Sequence, residues 1–190
     1  MKIQQQTGRV LLLIVWIMLM LGIFWFSAQD ASTSTKESVA VGTLICRIFD
    51  QGYEELTPSE QLAMAEAIDH AVRKSAHFCE YMLLGMLTAG VAFTWLRTSG
   101  GGSRGTGGAV SDAESDDCGR RGRVKDRRVW YAFLWCICYA ASDEVHQRFV
   151  PGRYGMWQDV VLDSAGALAG ILIVYALFNR AAHHPASRKE

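Results

Sequence analysis

Four stretches of the chain are apolar over lengths that suit membrane crossing, and the polar residues collect between them. The first, residues 10–26, is an unbroken run of apolar residues and glycine preceded by Lys2 and Arg9. As a helix it rises about 25 Å at ~1.5 Å per residue, near the lower limit for crossing hydrocarbon. A cleaved leader needs small residues at −3 and −1, and Phe26-Ser27-Ala28 puts phenylalanine at −3. The run therefore reads as an uncleaved first span. The second block, 77–96, is interrupted by Glu80 near its start. The third is purely apolar only over 129–141, too short to span, so its helix is expected to continue through Asp143, Glu144, His146 and Gln147 to about Phe149. The fourth, 157–178, contains Asp163 and the small-residue face Gly166-x-x-x-Gly170. The pattern predicts an all-α polytopic membrane protein: four transmembrane helices in one membrane domain, 10–178.

Between the first two spans the polar pattern changes. Ser34-x-x-Glu37 and Thr57-Pro58-Ser59-Glu60 are both capping-box signatures, the second with proline at the first helical position. Each opens a stretch with helical apolar spacing, so two short extracytoplasmic helices are expected, the second able to run into the His77 span. The 98–128 connection is different. Its Gly/Ser/Asp-rich part, 98–119, lacks aromatic residues and is expected to be disordered. Reading it as a phosphate cradle fails, because no strand precedes it and no Gly-Lys-Ser/Thr ends it.

Charge gives the orientation. Lys and Arg total 19 against 19 Asp and Glu, a net charge of zero, which lacks the basic excess of a nucleic-acid binder. The charges are segregated, however. Arg97, Arg104, Arg120, Arg121, Arg123, Lys125, Arg127 and Arg128 lie in one connection, and Arg180, Arg188 and Lys189 in the 179–190 tail. Positive residues flanking spans stay cytoplasmic. Both termini and the 98–128 loop are thus assigned to the cytoplasm, and 27–76 with 143–158 to the outside of the cell membrane. Zero net charge is a cancellation between two faces. Cys46 is alone outside, while Cys79, Cys136 and Cys138 lie in spans and Cys118 inside, so no disulfide framework is expected.

Ionisable groups within spans are costly, about 2.5–3.5 kcal/mol each on insertion scales, and here they gather at one depth. Lys74, His77, Glu80 and Tyr81 share a helical stripe at the outer end of the second span. Asp143, His146 and Gln147 share another on the third, with Glu144 to one side. Arg148 and Arg153 lie in the connector, and Asp159 and Asp163 follow at i, i+4 on the fourth helix. Three spans thus bring polar side chains towards one outer pocket. Three chemistries suit that set. An ion-pair network could simply hold the bundle together. Lys74, Arg148 and Arg153 could grip an anion, because Arg forks match phosphate oxygens. Catalysis would use His77 or His146 as base, oriented by Asp143 or Glu144. Metal and cofactor are not expected: no His-Glu-x-x-His occurs.

At these residues the sequence resembles the VanZ-like family of bacterial membrane proteins. The resemblance is carried by Lys74-Ser-Ala-His77-Phe78-Cys-Glu80-Tyr81, by Ser142-Asp143-Glu144-Val-His146-Gln147 with Pro151-Gly152-Arg153, and by Asp159-Val-Val-Leu-Asp163-Ser-Ala-Gly166. Phe26-Ser27-Ala-Gln29 also fits. Asp163 departs from it, since the family usually carries Asn there; the acid is expected to be neutral or paired with Arg153. The resemblance implies a role connected with teicoplanin resistance, with a lipid-linked cell-wall precursor or a lipoglycopeptide as partner beside the bilayer. It implies no settled activity. The preferred expectation is a pocket for an envelope-associated polar or anionic ligand, shaped by His77, Glu80, Tyr81, Asp143, Glu144, Gln147, Asp159 and Asp163. The alternative is a membrane enzyme modifying a lipid-linked precursor. Oligomeric state is left open.

Overall fold

The computed structural model describes residues 2–95 and 114–183, with side chains described for 4–95 and 127–180. Every regular element in these segments is helical: α1 (Lys2–Ser27), α2 (Ala31–Phe49), a 3-10 turn (Tyr53–Glu55), α3 (Pro58–Trp95), α4 (Glu114–Gln147) and α5 (Trp157–His183).

The helix starts follow their capping chemistry. Asp30 caps α2, its Oδ1 accepting from the Thr33 amide at 2.7 Å and from the Ser32 hydroxyl at 2.9 Å. The Thr33 amide, foremost, holds the Asp30 carboxyl below its ordinary value. The Ser34-based box thus lies a turn inside the helix, because Asp30 already satisfies the free amides at its start. At α3 the predicted box forms. The Glu60 carboxylate accepts from the Thr57 amide at 2.8 Å, and the Glu60 amide donates to the Thr57 hydroxyl at 3.4 Å. Nothing then stops the helix. α3 runs for 38 residues, so the second outer helix and the His77 span are one element. α4 begins at Glu114, reaching back into the stretch expected to be loop; residues 96–113, which hold most of its glycines, lie outside those described.

Among the described residues, three helices are long and apolar enough to cross a membrane: α1, α3 and α5. α4 carries Arg127 and Arg128 on one side of its apolar stretch and Asp143 and Glu144 on the other, and falls short of that measure. It nevertheless lies alongside the others. Trp135 packs on Trp16 of α1 with ring centroids 5.8 Å apart, Tyr139 donates to the Met20 carbonyl at 2.6 Å, and Ser27 donates to Asp143 at 2.8 Å. These contacts rise together along both helices, so α1 and α4 are parallel. α3 and α5 are parallel by the same test: Lys74 meets Asp159, Phe78 meets Gly166, Met82 meets Gly170 and Phe93 meets Phe178. α3 opposes α1, with Gly90 against Leu12.

The core is buried between these four helices around Ile23, Tyr81, Leu84, Cys136, Ala140, Ala167 and Ile171. Its tightest seam is α3 on α5. A Cβ added at Gly166 would meet the Phe78 carbonyl, one at Gly170 the Met82 carbonyl, and one at Gly85 the Ala167 carbonyl. The Gly166-x-x-x-Gly170 face therefore packs inside the bundle. α2 lies outside this core against the first half of α3, with Gly42 close to the Ala65 backbone and Ser38 hydrogen-bonded to Asp69. The outer surface of the four helices is apolar: Leu11, Ile14, Met18, Leu21, Leu83, Leu134, Leu172 and Leu177 are all exposed. Such a surface is ordinary against lipid and unfavourable against water.

Candidate functional site

Polar residues from five segments meet at the end of the bundle where α2 and α5 begin and α4 ends. The return from α4 to α5 shapes this end. Gly152 adopts φ +75°, a left-handed conformation that side chains disfavour, and its Cα faces Ala31. The Ala31 amide donates to the Pro151 carbonyl at 3.3 Å, tying the start of α2 to the return. Glu144, buried, accepts from the Met156 amide at 2.8 Å just before α5 begins. That carboxylate spends itself on the backbone, in a position where a free helix-start amide attracts an acid.

Between these elements opens a cavity of about 440 Å³. α3 contributes His70, Arg73, Lys74 and His77, one face of the helix at i, i+3, i+4 and i+7. The return contributes Gly152, Arg153, Tyr154 and Met156; α4 adds Gln147, α5 adds Asp159, and α2 adds Ala31 and Ser34. Of the residues expected from sequence, Lys74, His77, Gln147, Arg153 and Asp159 line it. The others are placed elsewhere. Arg148 is exposed, with its side-chain stem beside Gly155. Tyr81, Asp143, Glu144 and Asp163 are buried behind the cavity, and Glu80 is half-buried. His146 is stacked on Phe24 of α1 at 4.5 Å.

The cations differ in what they hold. Arg73 pairs with Asp69 at 2.8 Å, and Lys74 pairs with Asp159. Arg153 has no carboxylate partner among the described residues; its guanidinium donates to the Phe26 carbonyl at 3.4 Å. Burial, the largest influence on it, holds the guanidinium below its ordinary value, while Asp143 acts in the opposite sense. The pairing of Arg153 with Asp163 considered from sequence does not form. Neither does a His–carboxylate dyad. No hydrogen bond joins His77 or His146 to Asp143 or Glu144 among the described residues; Nδ1 of His77 and Nε2 of His146 are buried without partners. Asp143 instead accepts from Ser27 at 2.8 Å and from Gln147 at 3.2 Å. Among the described residues no group of three His, Cys, Asp or Glu is arranged to hold a metal ion.

Sequence reasoning did not place His70, Arg73 or Ser27 at the site. The first two continue the Lys74–His77 stripe one turn outward and follow from the same helical arithmetic. Ser27 stood out only through the family resemblance; helical arithmetic could not tie it to Asp143, which is far away in the chain.

The VanZ/LLP1 family model matches residues 10–179. No curated protein and no solved structure matches the chain.

Proposed function

The chain belongs to the VanZ/LLP1 family, and from that premise we propose that it crosses the cell membrane four times, with both termini cytoplasmic, and binds an anionic envelope ligand in its outer cavity. The parallel pairs α1–α4 and α3–α5, with α3 opposed to α1, support four crossings: chain connectivity requires that alternation. Arg127 and Arg128 lie on α4 just before its apolar stretch, on the side away from the cavity, and Arg9 and Arg180 lie towards the corresponding ends of α1 and α5, which supports a cytoplasmic assignment for that side.

The observation that carries the binding reading is Arg153. A half-buried guanidinium facing a cavity without a carboxylate partner is poorly explained by an internal ion-pair network, which would have paired it. Its planar fork suits a phosphate or carboxylate. Arg73, Lys74, His70 and His77 line the same cavity, Arg73 and Lys74 with carboxylate partners of their own. The depth of the site points to a ligand anchored in the bilayer. Trp25, Phe149, Tyr154 and Trp157 are strongly exposed around this end, as aromatic side chains are at headgroup level. A lipid-linked cell-wall precursor presents its phosphate at that level, and a lipoglycopeptide its carboxylate.

Binding of a polyprenyl phosphate to the purified protein in nanodiscs, read by native mass spectrometry, tests this reading. Losing a charged hydrogen-bond pair costs about 1.5–3 kcal/mol, so Arg153→Gln should weaken binding roughly ten- to hundredfold. Equal binding by the parent and Arg153→Gln removes the proposal. Teicoplanin susceptibility of a deletion strain complemented with each form then tests whether the site contributes to resistance.

A further inference from the structure

Behind the cavity the bundle holds a second set of polar groups that anion binding does not use. Asp163 is fully buried, and neither of its carboxyl oxygens has a hydrogen-bond partner. Tyr81 is buried as deeply, with an equally unpartnered hydroxyl. Oδ1 of Asp143 and Nδ1 of His77 complete the set. The helix register sets Asp163 and His77 at one level of the bundle. Lys74 meets Asp159 and Phe78 meets Gly166, so Asp163 sits on α5 between those contacts, level with His77 on α3. The charged and titratable groups acting on Asp163 and Tyr81 are Lys74 and Glu80 from α3, and Asp143, Glu144 and Tyr139 from α4. Three of these are acids, and the one cation, Lys74, is already bound to Asp159.

A carboxylate buried beside three acids, without a donor or a free cation, is a costly arrangement; an acid carrying its own proton is not. We propose that Asp163 is a proton-binding site inside the bundle, loaded from the outer cavity through the His77 imidazole. His77 lines the cavity while its Nδ1 belongs to the buried set. A hydronium ion in the cavity gives its proton to the imidazole and leaves water. The imidazolium passes a proton on to an Asp163 oxygen and returns to neutral, and the carboxylate becomes a carboxylic acid. No electron moves, and no other reactant is consumed. The Tyr81 hydroxyl is the neighbouring neutral group able to accept a hydrogen bond from that acid. The site does not depend on the ligand of the outer cavity.

Infrared spectroscopy of the full chain in nanodiscs, transferred from H2O to D2O at neutral pH, tests the site directly. The parent should show a protonated-carboxyl band that is lost in Asp163→Asn and kept in Glu55→Gln, an exposed acid in the 3-10 turn. Deuterium exchange of that band should be roughly tenfold slower or more in His77→Phe, as expected when a buried proton must wait for local opening. Absence of the band, its survival in Asp163→Asn, or unchanged exchange in His77→Phe overturns the proposal. Carbon-13 labelling of the aspartate carboxyls gives a reading that needs no variant: an unshifted band places the proton on another residue type and also overturns it.

Discussion

Ser27 is the last residue of α1, 1% exposed, and its hydroxyl is the nearer of two donors to Oδ2 of Asp143. Gln147 Nε2 reaches both, at 3.4 Å from the Ser27 hydroxyl and 3.2 Å from Asp143. This small network joins α1 to α4 behind the cavity wall. Removing the hydroxyl leaves a buried carboxylate oxygen short of a donor, which costs about 1–3 kcal/mol. Ser27→Ala should lower the thermal unfolding midpoint in detergent, and Gln147→Leu should do the same; an unmoved midpoint in both would mean that Asp143 finds its donor elsewhere. At this scale the sequence was readable in part. Helical angles grouped Lys74 with His77, and Asp143 with Gln147, because residues on one helix have fixed relative positions. They could not pair Ser27 with Asp143, or separate Arg148 from Arg153, because those relations depend on how helices dock and how a turn closes.

α3 and α5 approach as closely as their glycines allow. With the Cα of Gly170 against the Met82 carbonyl, a β-branched side chain cannot be accommodated by rotating a neighbour, since the obstacle is backbone. Overpacking typically costs about 1–3 kcal/mol, and here it would also spread the register that places Lys74 on Asp159. Gly170→Val should therefore destabilise the protein and loosen the cavity; a chain with unchanged thermal midpoint and unchanged anion binding would show the seam to be less tight than its geometry. The small-residue pattern was visible in sequence as Gly166-x-x-x-Gly170, but its partner was not. Gly85, the matching position on α3, gains its meaning only when Ala167 lies across from it. Helix starts were legible where one signal stood alone, as at Thr57, and misplaced by a turn where Asp30 and Ser34 competed.

For the whole molecule, the prediction concerns sides. Single cysteines at Gln51 and at Gly8, introduced into a chain freed of its own cysteines, should label from opposite faces of intact cells: a membrane-impermeant maleimide reaches the first and spares the second. Labelling of both, or of neither before lysis, contradicts the four-span orientation. The membrane-length helices α1, α3 and α5 were the part of the fold most open to reading, since bilayer thickness imposes a length that a sequence must meet. α4 was harder, because its acids belong to the polar end of the bundle and dilute its apolar run. The length of α3 has a mechanical consequence. At ~1.5 Å per residue its 38 residues measure about 57 Å, against roughly 30 Å of hydrocarbon. On the proposed four-span placement, with His77 at the outer end of its span, the first half of the helix is a stiff arm carrying α2 along its flank. Any few-degree tilt at the glycine seam is magnified along that arm, so an event at the cavity would be felt as ångströms of travel at the Tyr53 turn.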